Sequence, residues 1–350
     1  MKIGILTFHH SNYNYGAVLQ TFAIFKLIED LGYESYIINY VPEVNKPRKK
    51  IAAAIVALLG YRFEKFRKKY ISRILHKTQK YNDLKELNNI LDGFIVGSDQ
   101  VWRYRKNVEA LYKYYLNFVD DDKPKIAFAA SFGIDYWDAN KEVTKNVSKL
   151  IKRFDAVSVR EASGVKICRN VFNIESLNVL DPTLLVNREY FKEIADASST
   201  TVKQNYIAYM LFDDTKQKRS YFKNLAANMG CRFININGRN VWAKKNFYWF
   251  KSVNYWLYCL KNADLVVTDS FHCTVFSILF HRKFICIANP LKGVTRLENL
   301  LKILKLEDRL VSNVSYISEQ HAMSEINYGA VEHYLFKQKQ VSITFLRESL

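Results

Sequence analysis

His272 follows a short apolar run, Leu265-Val-Val-Thr268, and precedes a second apolar run that reads as a helix. It therefore falls in the first turn of that helix, where free backbone amides and the helix dipole attract phosphate or carboxylate. A histidine so placed could hold an anion or move a proton near neutral pH. Equally, Asp269 or Ser270 could cap the helix, with the ring packed behind. Val159-Arg160-Glu161 puts a charged pair at the end of another apolar run. Arg160 has the flat fork that a carboxylate or phosphate needs, unless Glu161 or a neighbouring helix neutralises it. Arg296 opens a helix behind Pro290-Leu-Lys-Gly-Val-Thr295, a cationic loop that could close on a ligand or stay a solvated turn. Asp99, in Gly97-Ser98-Asp99-Gln-Val-Trp102, reads as a general acid if Trp102 shields it and raises its pKa, or as a turn residue bonded to its own loop. Asn12-Tyr-Asn14-Tyr-Gly16 enters a helix directly, in the placement of a phosphate-cradling turn. The chain has no G-x-G-x-x-G or G-x-x-x-x-G-K-[ST], and no G-x-S-x-G elbow, H-E-x-x-H helix or RNP-type aromatic motif.

These residues recur just after apolar runs because an alternation of short strands and amphipathic helices positions them. Strands are expected at Ile3–Thr7, Tyr33–Tyr40, Gly93–Gly97, Lys125–Ala130, Ala156–Val159 and Leu177–Leu180. A helix with Val18, Phe22, Phe25 and Ile28 on one stripe lies between the first two and stops at Gly32. After a polar connection, Ser198-Ser-Thr-Thr201, the alternation resumes with strands at Tyr206–Phe212, Arg232–Ile236, Leu265–Thr268 and Lys283–Ile287. The expectation is an α/β chain of two Rossmann-like domains facing a cleft. The first covers 1–195, the second 203–335, and a tail covers 336–350. In open parallel sheets ligands bind beyond the carboxyl ends of the strands, so the polar turns at His9, Ser98, Ser131, Arg160, Asp181 and His272 should share one rim.

The 350 residues carry 52 Lys and Arg against 34 Asp and Glu, a net charge of +18, and 49% are hydrophobic. That is enough apolar material for two cores, and the charge favours an anionic partner without choosing one. Nucleic acid rests on charge alone and is set aside. Five scattered cysteines make neither a disulfide framework nor a zinc site, so no metal is expected and a reducing compartment is. The opening segment is a strand and the longest apolar run, Ile51 to Gly60, is too short to span a bilayer, which reads as a cytosolic protein able to act at the inner face of a membrane.

At these same segments the chain resembles the polysaccharide pyruvyl transferase family. The matching pieces are Thr7-Phe-His9 with Asn14-Tyr-Gly16-Ala-Val-Leu-Gln20, Gly97-Ser98-Asp99-Gln-Val-Trp102, Ala130-Ser131-Phe-Gly133, Ser158-Val-Arg160-Glu161, Asp181-Pro-Thr183 and Thr268-Asp-Ser270-Phe-His272, followed by Arg296-Leu-Glu-Asn-Leu-Leu301 and Leu306-Glu-Asp-Arg309. The resemblance implies a GT-B type architecture, with the acceptor on the first domain and the donor on the second. It implies phosphoenolpyruvate as co-substrate, no cofactor, and an oligosaccharide or polysaccharide acceptor, free or lipid-linked, that receives a pyruvate ketal. The implied chemistry assigns proton traffic to His272, Asp99 and Glu161. It assigns substrate binding to Arg160, Arg296, Ser270, His9, Asn14, Gly16, Ser98 and Ser131. Many relatives carry Arg where this chain has Ser270, and an acid where it has Ala17.

Arg48 to Lys77 holds ten basic residues against one acid, Glu64, with Phe63, Phe66, Tyr70 and Ile74 at helical spacing. It reads as a basic amphipathic helix on an anionic membrane, or as a helix packed on the first domain with its cations in water. Two other readings of the whole chain are a nucleotide-sugar-dependent glycosyltransferase of the same architecture and a non-enzymatic membrane-surface assembly module.

Overall fold

A computed structural model describes residues 1–42, 50–203, 205–242, 247–289 and 293–350. Arg48 and Lys49 of the basic stretch, the side chains of its apolar run 51–59, and Pro290, Leu291 and Lys292 of the cationic loop lie outside the described residues. The first domain runs β1 (Lys2–Leu6), α1 (Tyr15–Asp30), β2 (Glu34–Ile37), α2 (Lys50–Tyr70), α3 (Tyr81–Lys85), β3 (Gly93–Val96), α4 (Val108–Lys113), β4 (Lys125–Ala130), α5 (Lys141–Ile151), β5 (Ala156–Val159), α6 (Ala162–Ile167), β6 (Leu177–Asn178), α7 (Pro182–Leu185) and α8 (Arg188–Asp196). The second runs β7 (Tyr206–Met210), α9 (Lys216–Asn228), β8 (Arg232–Asn235), the hairpin β9 (Arg239–Trp242) and β10 (Phe247–Trp249), α10 (Val253–Lys261), β11 (Leu265–Thr268), α11 (Phe271–Leu279), β12 (Lys283–Ile287), α12 (Thr295–Leu304), β13 (Leu310–Val311), α13 (Glu319–Met323) and α14 (Tyr328–Ser349).

Each domain is built on one parallel sheet, six strands in the order β2-β1-β3-β4-β5-β6 and five in the order β13-β12-β11-β7-β8. The inner strands β1, β3, β4, β7 and β11 are buried on both faces, which is why they read as unbroken apolar runs rather than alternating ones. These are two Rossmann-like domains, as the strand–helix alternation predicts. Several strands are shorter than the runs that announced them: Tyr33–Tyr40 reduces to Glu34–Ile37, and Leu177–Leu180 to two residues, because the ladder stops at Val179, whose amide still donates to the Val159 carbonyl, while the Leu180 amide goes to Ser342 Oγ.

Two helices cross between the domains. α8 packs along α10, and Asn254 of α10 donates to the Ile194 carbonyl of α8 at 2.7 Å. The segment 336–350 is the second half of α14, and it comes back to the first domain: Ser342 Oγ accepts the Leu180 amide at 3.0 Å, and the Phe345 ring stacks on Phe128. The C-terminal half of α2 buries Phe63 and Phe66 against Tyr15 and Phe22 of α1. The helical spacing of these rings thus serves the core, as the packed reading has it. No described helix is long and apolar enough to cross a membrane.

Candidate active site

The loops after β1, β3, β7 and β11 meet α12 around a cavity of about 690 Å³. The first domain contributes Phe8, His10, Asn14, Asp99, Arg103 and Arg105, and the second Asp269, Ser270, Phe271, His272 and Arg296. The rim is therefore shared by both sheets at their carboxyl ends, where parallel strands leave amides and side chains free of the ladder.

Asp181, one turn past β6, is the hub. Its Oδ1 accepts from the amide and hydroxyl of Thr183 at 3.0 and 2.6 Å, fixing the carboxylate by a local Asx-type turn. Its Oδ2 accepts from Ser98 Oγ at 3.0 Å and from Arg160 Nη1 at 2.5 Å, and lies 3.6 Å from His272 Nε2. Burial opposes the ionised form of Asp181, but His272, Arg160 and Thr183 more than compensate and hold its pKa far below the usual carboxylate range. Arg160 Nη2 also faces Asp99 Oδ1 at 3.5 Å. A carboxylate of the first domain, held by Arg160, thus faces the histidine of the second. Sequence reading singles out Arg160 as an anion fork; its guanidinium is instead buried, paired with two carboxylates, and 4.7 Å from the Phe271 ring centre.

Asp99 departs from the expected raised pKa. Burial does push it up, but Arg160, His272 and Arg296 outweigh that and hold it below its ordinary value, so the group is an anion and not a general acid at neutral pH. Trp102, the expected shield, turns into the core, stacking on Tyr115 with its indole N–H on the Tyr114 carbonyl. Glu161 goes the other way. Burial raises its pKa against Arg160, Arg296 and the hydrogen bonds of Ser131 and Phe132. Glu161 Oε1 accepts from Ser131 Oγ and the Phe132 amide, each at 2.9 Å, while Oε2 is buried without a hydrogen-bond partner. Glu161 is the carboxyl in the site best suited to carry a proton.

His272 lies in the first turn of α11, which begins at Ser270 without a side-chain cap hydrogen bond. The Asp269 carboxylate is used elsewhere, accepting from the Phe212 and Asp213 amides at 2.7 and 3.0 Å and from Asn289 at 2.8 Å. So neither Asp269 nor Ser270 closes this helix start, and its amides stay available to an anion in the cavity. Arg296 stands in the first turn of α12, 5.8 Å from the Phe271 ring. Burial and the like charge of Arg160 lower its pKa to about 10, so it stays cationic at neutral pH. Gly16 explains the tight N-terminal turn: a Cβ there would sit 2.0 Å from His272 Nδ1. Asn14 caps α1 through Oδ1 to the Ala17 amide at 3.2 Å and also lines the cavity.

His9 is not brought to the cavity. Its ring pairs with Asn39 Oδ1 at 2.9 Å and the Thr7 carbonyl at 3.2 Å inside the first domain. Burial lowers its pKa and leaves it neutral. Its neighbour His10 lines the cavity instead, its pKa pushed down to about 4 by burial and by His9, Arg67 and Lys77. Ser98, Ser131 and Gly16 stand one layer behind the cavity, as Arg160 and Glu161 do. Sequence reading missed Arg103 and Arg105, which bracket Gln100 Oε1 at 3.3 and 3.1 Å on the cavity wall; their signal was their place directly after the Gly97–Trp102 turn. It also missed the work of Arg67. Within the basic stretch, Arg67 donates to the Ser11 carbonyl at 3.0 Å and Asn12 Oδ1 at 2.6 Å, so it fastens the loop after β1 rather than facing outward.

What this arrangement can do chemically is bind a small dianion between an uncapped helix start, an imidazole and a guanidinium, with a neutral-leaning carboxyl one layer behind. Among the described residues no group of three His, Cys, Asp or Glu side chains could hold a metal ion. A family model described as polysaccharide pyruvyl transferase matches residues 14–290. No curated protein matches the sequence. The crystal structure of Arabidopsis thaliana UGT89C1 superposes with a TM-score of 0.53 at 9% identity, over 99% of this chain and 98% of that one. UDP-GlcNAc 2-epimerase from Neisseria meningitidis, bound to UDP-GlcNAc, gives 0.50 at 10% identity, over 98% of this chain and 94% of that one. At such identities the likeness is one of fold, the GT-B arrangement of two Rossmann-like domains. With the family's pattern matched over most of the sequence and its segments gathered on one cleft, the chain belongs to the polysaccharide pyruvyl transferase family.

Proposed function

We propose that the cleft transfers the pyruvyl group of phosphoenolpyruvate to two hydroxyls of one sugar in a cell-surface polysaccharide or its lipid-linked precursor. The observation that carries this reading is the convergence of His272, Arg296 and the uncapped start of α11 on one cavity, backed by the Arg160–Asp181 pair. Phosphoenolpyruvate carries a carboxylate and a phosphate on one carbon, C2, and such a cationic, amide-rich pocket suits both. In the reaction one sugar hydroxyl bonds to C2 as C3 gains a proton, the C2–O bond to phosphate breaks, and the second hydroxyl closes the ketal. Of the two protons released by the hydroxyls, one goes to C3 and one to the departing phosphate. His272, on the cavity wall, is the group placed to handle them, with Glu161 one layer behind as a proton reserve, and Arg296 with the α11 amides would stabilise the charge that builds on phosphate. Asp99 serves as an anion that keeps Arg160 in place. The donor is assigned to the second-domain wall and the acceptor to the first, whose Phe8, Arg103 and Arg105 face it. An acceptor carried on lipid would bring the protein to a membrane surface from the cytoplasmic side.

A thermal-shift titration tests the donor. Phosphoenolpyruvate at about 100 times its dissociation constant should stabilise the fold by roughly 2.7 kcal/mol, and uridine nucleotides should not. The second reading, glycosyl transfer from a nucleotide sugar, is favoured by the nucleotide-sugar-bound fold neighbour. Stabilisation by a uridine nucleotide, with none by phosphoenolpyruvate, would move the assignment there.

A further inference from the structure

Outside the cleft a second cavity of about 560 Å³ lies between α2, the start of α10 and the interdomain connection. Its cations are Arg62, Lys65, Lys69 and Lys251, and no acidic side chain lines it. Among the described residues none of the four forms an ion pair; the nearest such pair on α2 is Lys68–Glu64. Three of them are laid over rings. The Arg62 guanidinium is 4.9 Å from the Trp249 ring centre, Lys69 Nζ 5.0 Å from Tyr70, and Lys251 Nζ 5.4 Å from Tyr255. Arg62 is further fixed by donating to the Phe250 carbonyl at 2.9 Å. Trp249 and Tyr61 stay 37% and 59% exposed at the mouth, where rings of this size are normally covered.

We propose that this cavity binds an acidic stretch of polysaccharide, the sugar units lying beyond the one held in the cleft. The inference rests on the polysaccharide-acting reading of the protein. Ammonium and guanidinium groups meet the carboxylates or phosphates of such a chain, and the exposed rings meet the apolar C–H faces of its pyranoses. Ser199 and Thr200 of the connection add hydroxyls to the same wall. A lipid surface fits less well, since the apolar side chains described on α2, Phe63 and Phe66, are spent on α1. The buried Tyr15, next to Asn14 of the cleft, donates to the carbonyl of Lys251 of this cavity at 3.0 Å, so one hydrogen bond ties the two linings together. A polymer seated here would also account for a strongly basic α2 in a protein whose cleft does not need it.

The experiment is calorimetric binding of oligogalacturonate to the full chain without phosphoenolpyruvate, so that its outcome does not depend on donor identity. Neutral maltoheptaose and phosphatidylglycerol vesicles serve as comparison ligands. Oligogalacturonate should bind, more weakly as salt rises, and maltoheptaose should bind at least about tenfold more weakly. Lys65→Gln/Lys69→Gln, both exposed, should weaken oligogalacturonate about tenfold or more, and Trp249→Ala should do likewise, while His272→Ala in the cleft leaves it unchanged. Equal affinity for maltoheptaose would overturn the proposal, as would loss of binding in His272→Ala but not in the double variant. Vesicle binding that the double variant abolishes, with no oligogalacturonate binding, would assign the cavity to lipid instead.

Discussion

At Asp181 a single carboxylate faces Arg160 of its own domain and His272 of the other. Asp181→Asn keeps the shape but leaves Arg160 buried with only Asp99 opposite, at 3.5 Å. Breaking a buried pair in this way costs about 3 to 5 kcal/mol, which urea unfolding would measure. Activity should fall further than stability explains, because His272 loses the group that faces its Nε2. His272→Ala should lower turnover on the order of 10² to 10⁴ with the fold intact; equal losses of stability and activity would mean that the ring only packs. Gly16→Ala would drive a methyl into His272 Nδ1 and should mimic the loss of the ring. The carboxyls also give a pH signature. Asp99 and Asp181 have depressed values, so their stabilisation is present above the unfolded carboxylate range of about 4 and is lost as pH falls through the folded values. Glu161 is raised, so its contribution is full below about 4.3 and is lost as pH rises through its folded pKa. Glu161→Gln should therefore gain stability relative to the parent as pH rises above about 4, while losing turnover. An unchanged difference across that range would show that the carboxyl is not carried neutral.

Among the elements, α1, α2 and α11 do the positioning. α11 offers its start to the cavity because Asp269 is committed to the loop after β7 and Ser270 does not cap. Ser270→Arg would add a cation at the cavity wall and should tighten phosphoenolpyruvate binding, read by thermal shift. α2 is a brace. Gly60 lets it approach Asn12, where a Cβ would stand 2.5 Å away, and Arg67 ties down the loop after β1. Arg67→Ala leaves two loop carbonyls short of a donor and should cost about 1 to 3 kcal/mol. Hydrogen exchange should quicken at residues 9–14 and not at the start of α11. Uniform loss of protection would instead mean that α2 supports the whole domain.

For the molecule as a whole, the cleft is made by segments that cross it. Asn299 of α12 accepts the Ala162 amide at 3.3 Å, and Gly293 packs so close to the Gly133 carbonyl, at 2.5 Å from a would-be Cβ, that no other residue fits. α14 passes beside the hub, its Ser342 hydroxyl accepting the amide of Leu180, the residue before Asp181. Deleting residues 340–350 removes the buried Leu346 and orphans the Leu180 amide, and should cost at least about 2 kcal/mol and blunt stabilisation by phosphoenolpyruvate. Both are read in one melting experiment. What the sequence by itself determined was local in character. Apolar runs ending in Gly-Ser-Asp, Arg-Glu or Asp-Ser-Phe-His announce strands, their ends and the helix starts beyond them, because strand burial and turn chemistry act over a few residues. The two parallel sheets and a rim of polar turns were legible on that basis, and the family segments through their resemblance. Which residues face the cavity was decided only by tertiary structure. A pKa or a burial depends on neighbours remote in the chain: Asp99 is held anionic by Arg160, His272 and Arg296, and His9 is withdrawn by Asn39 while His10 takes the wall. Arg67, one of ten cations in a run that reads uniformly basic, becomes a loop clasp only because α2 folds across residues 9–12. Charge and spacing repeat along a chain, whereas a partner is fixed only when the chain closes on itself.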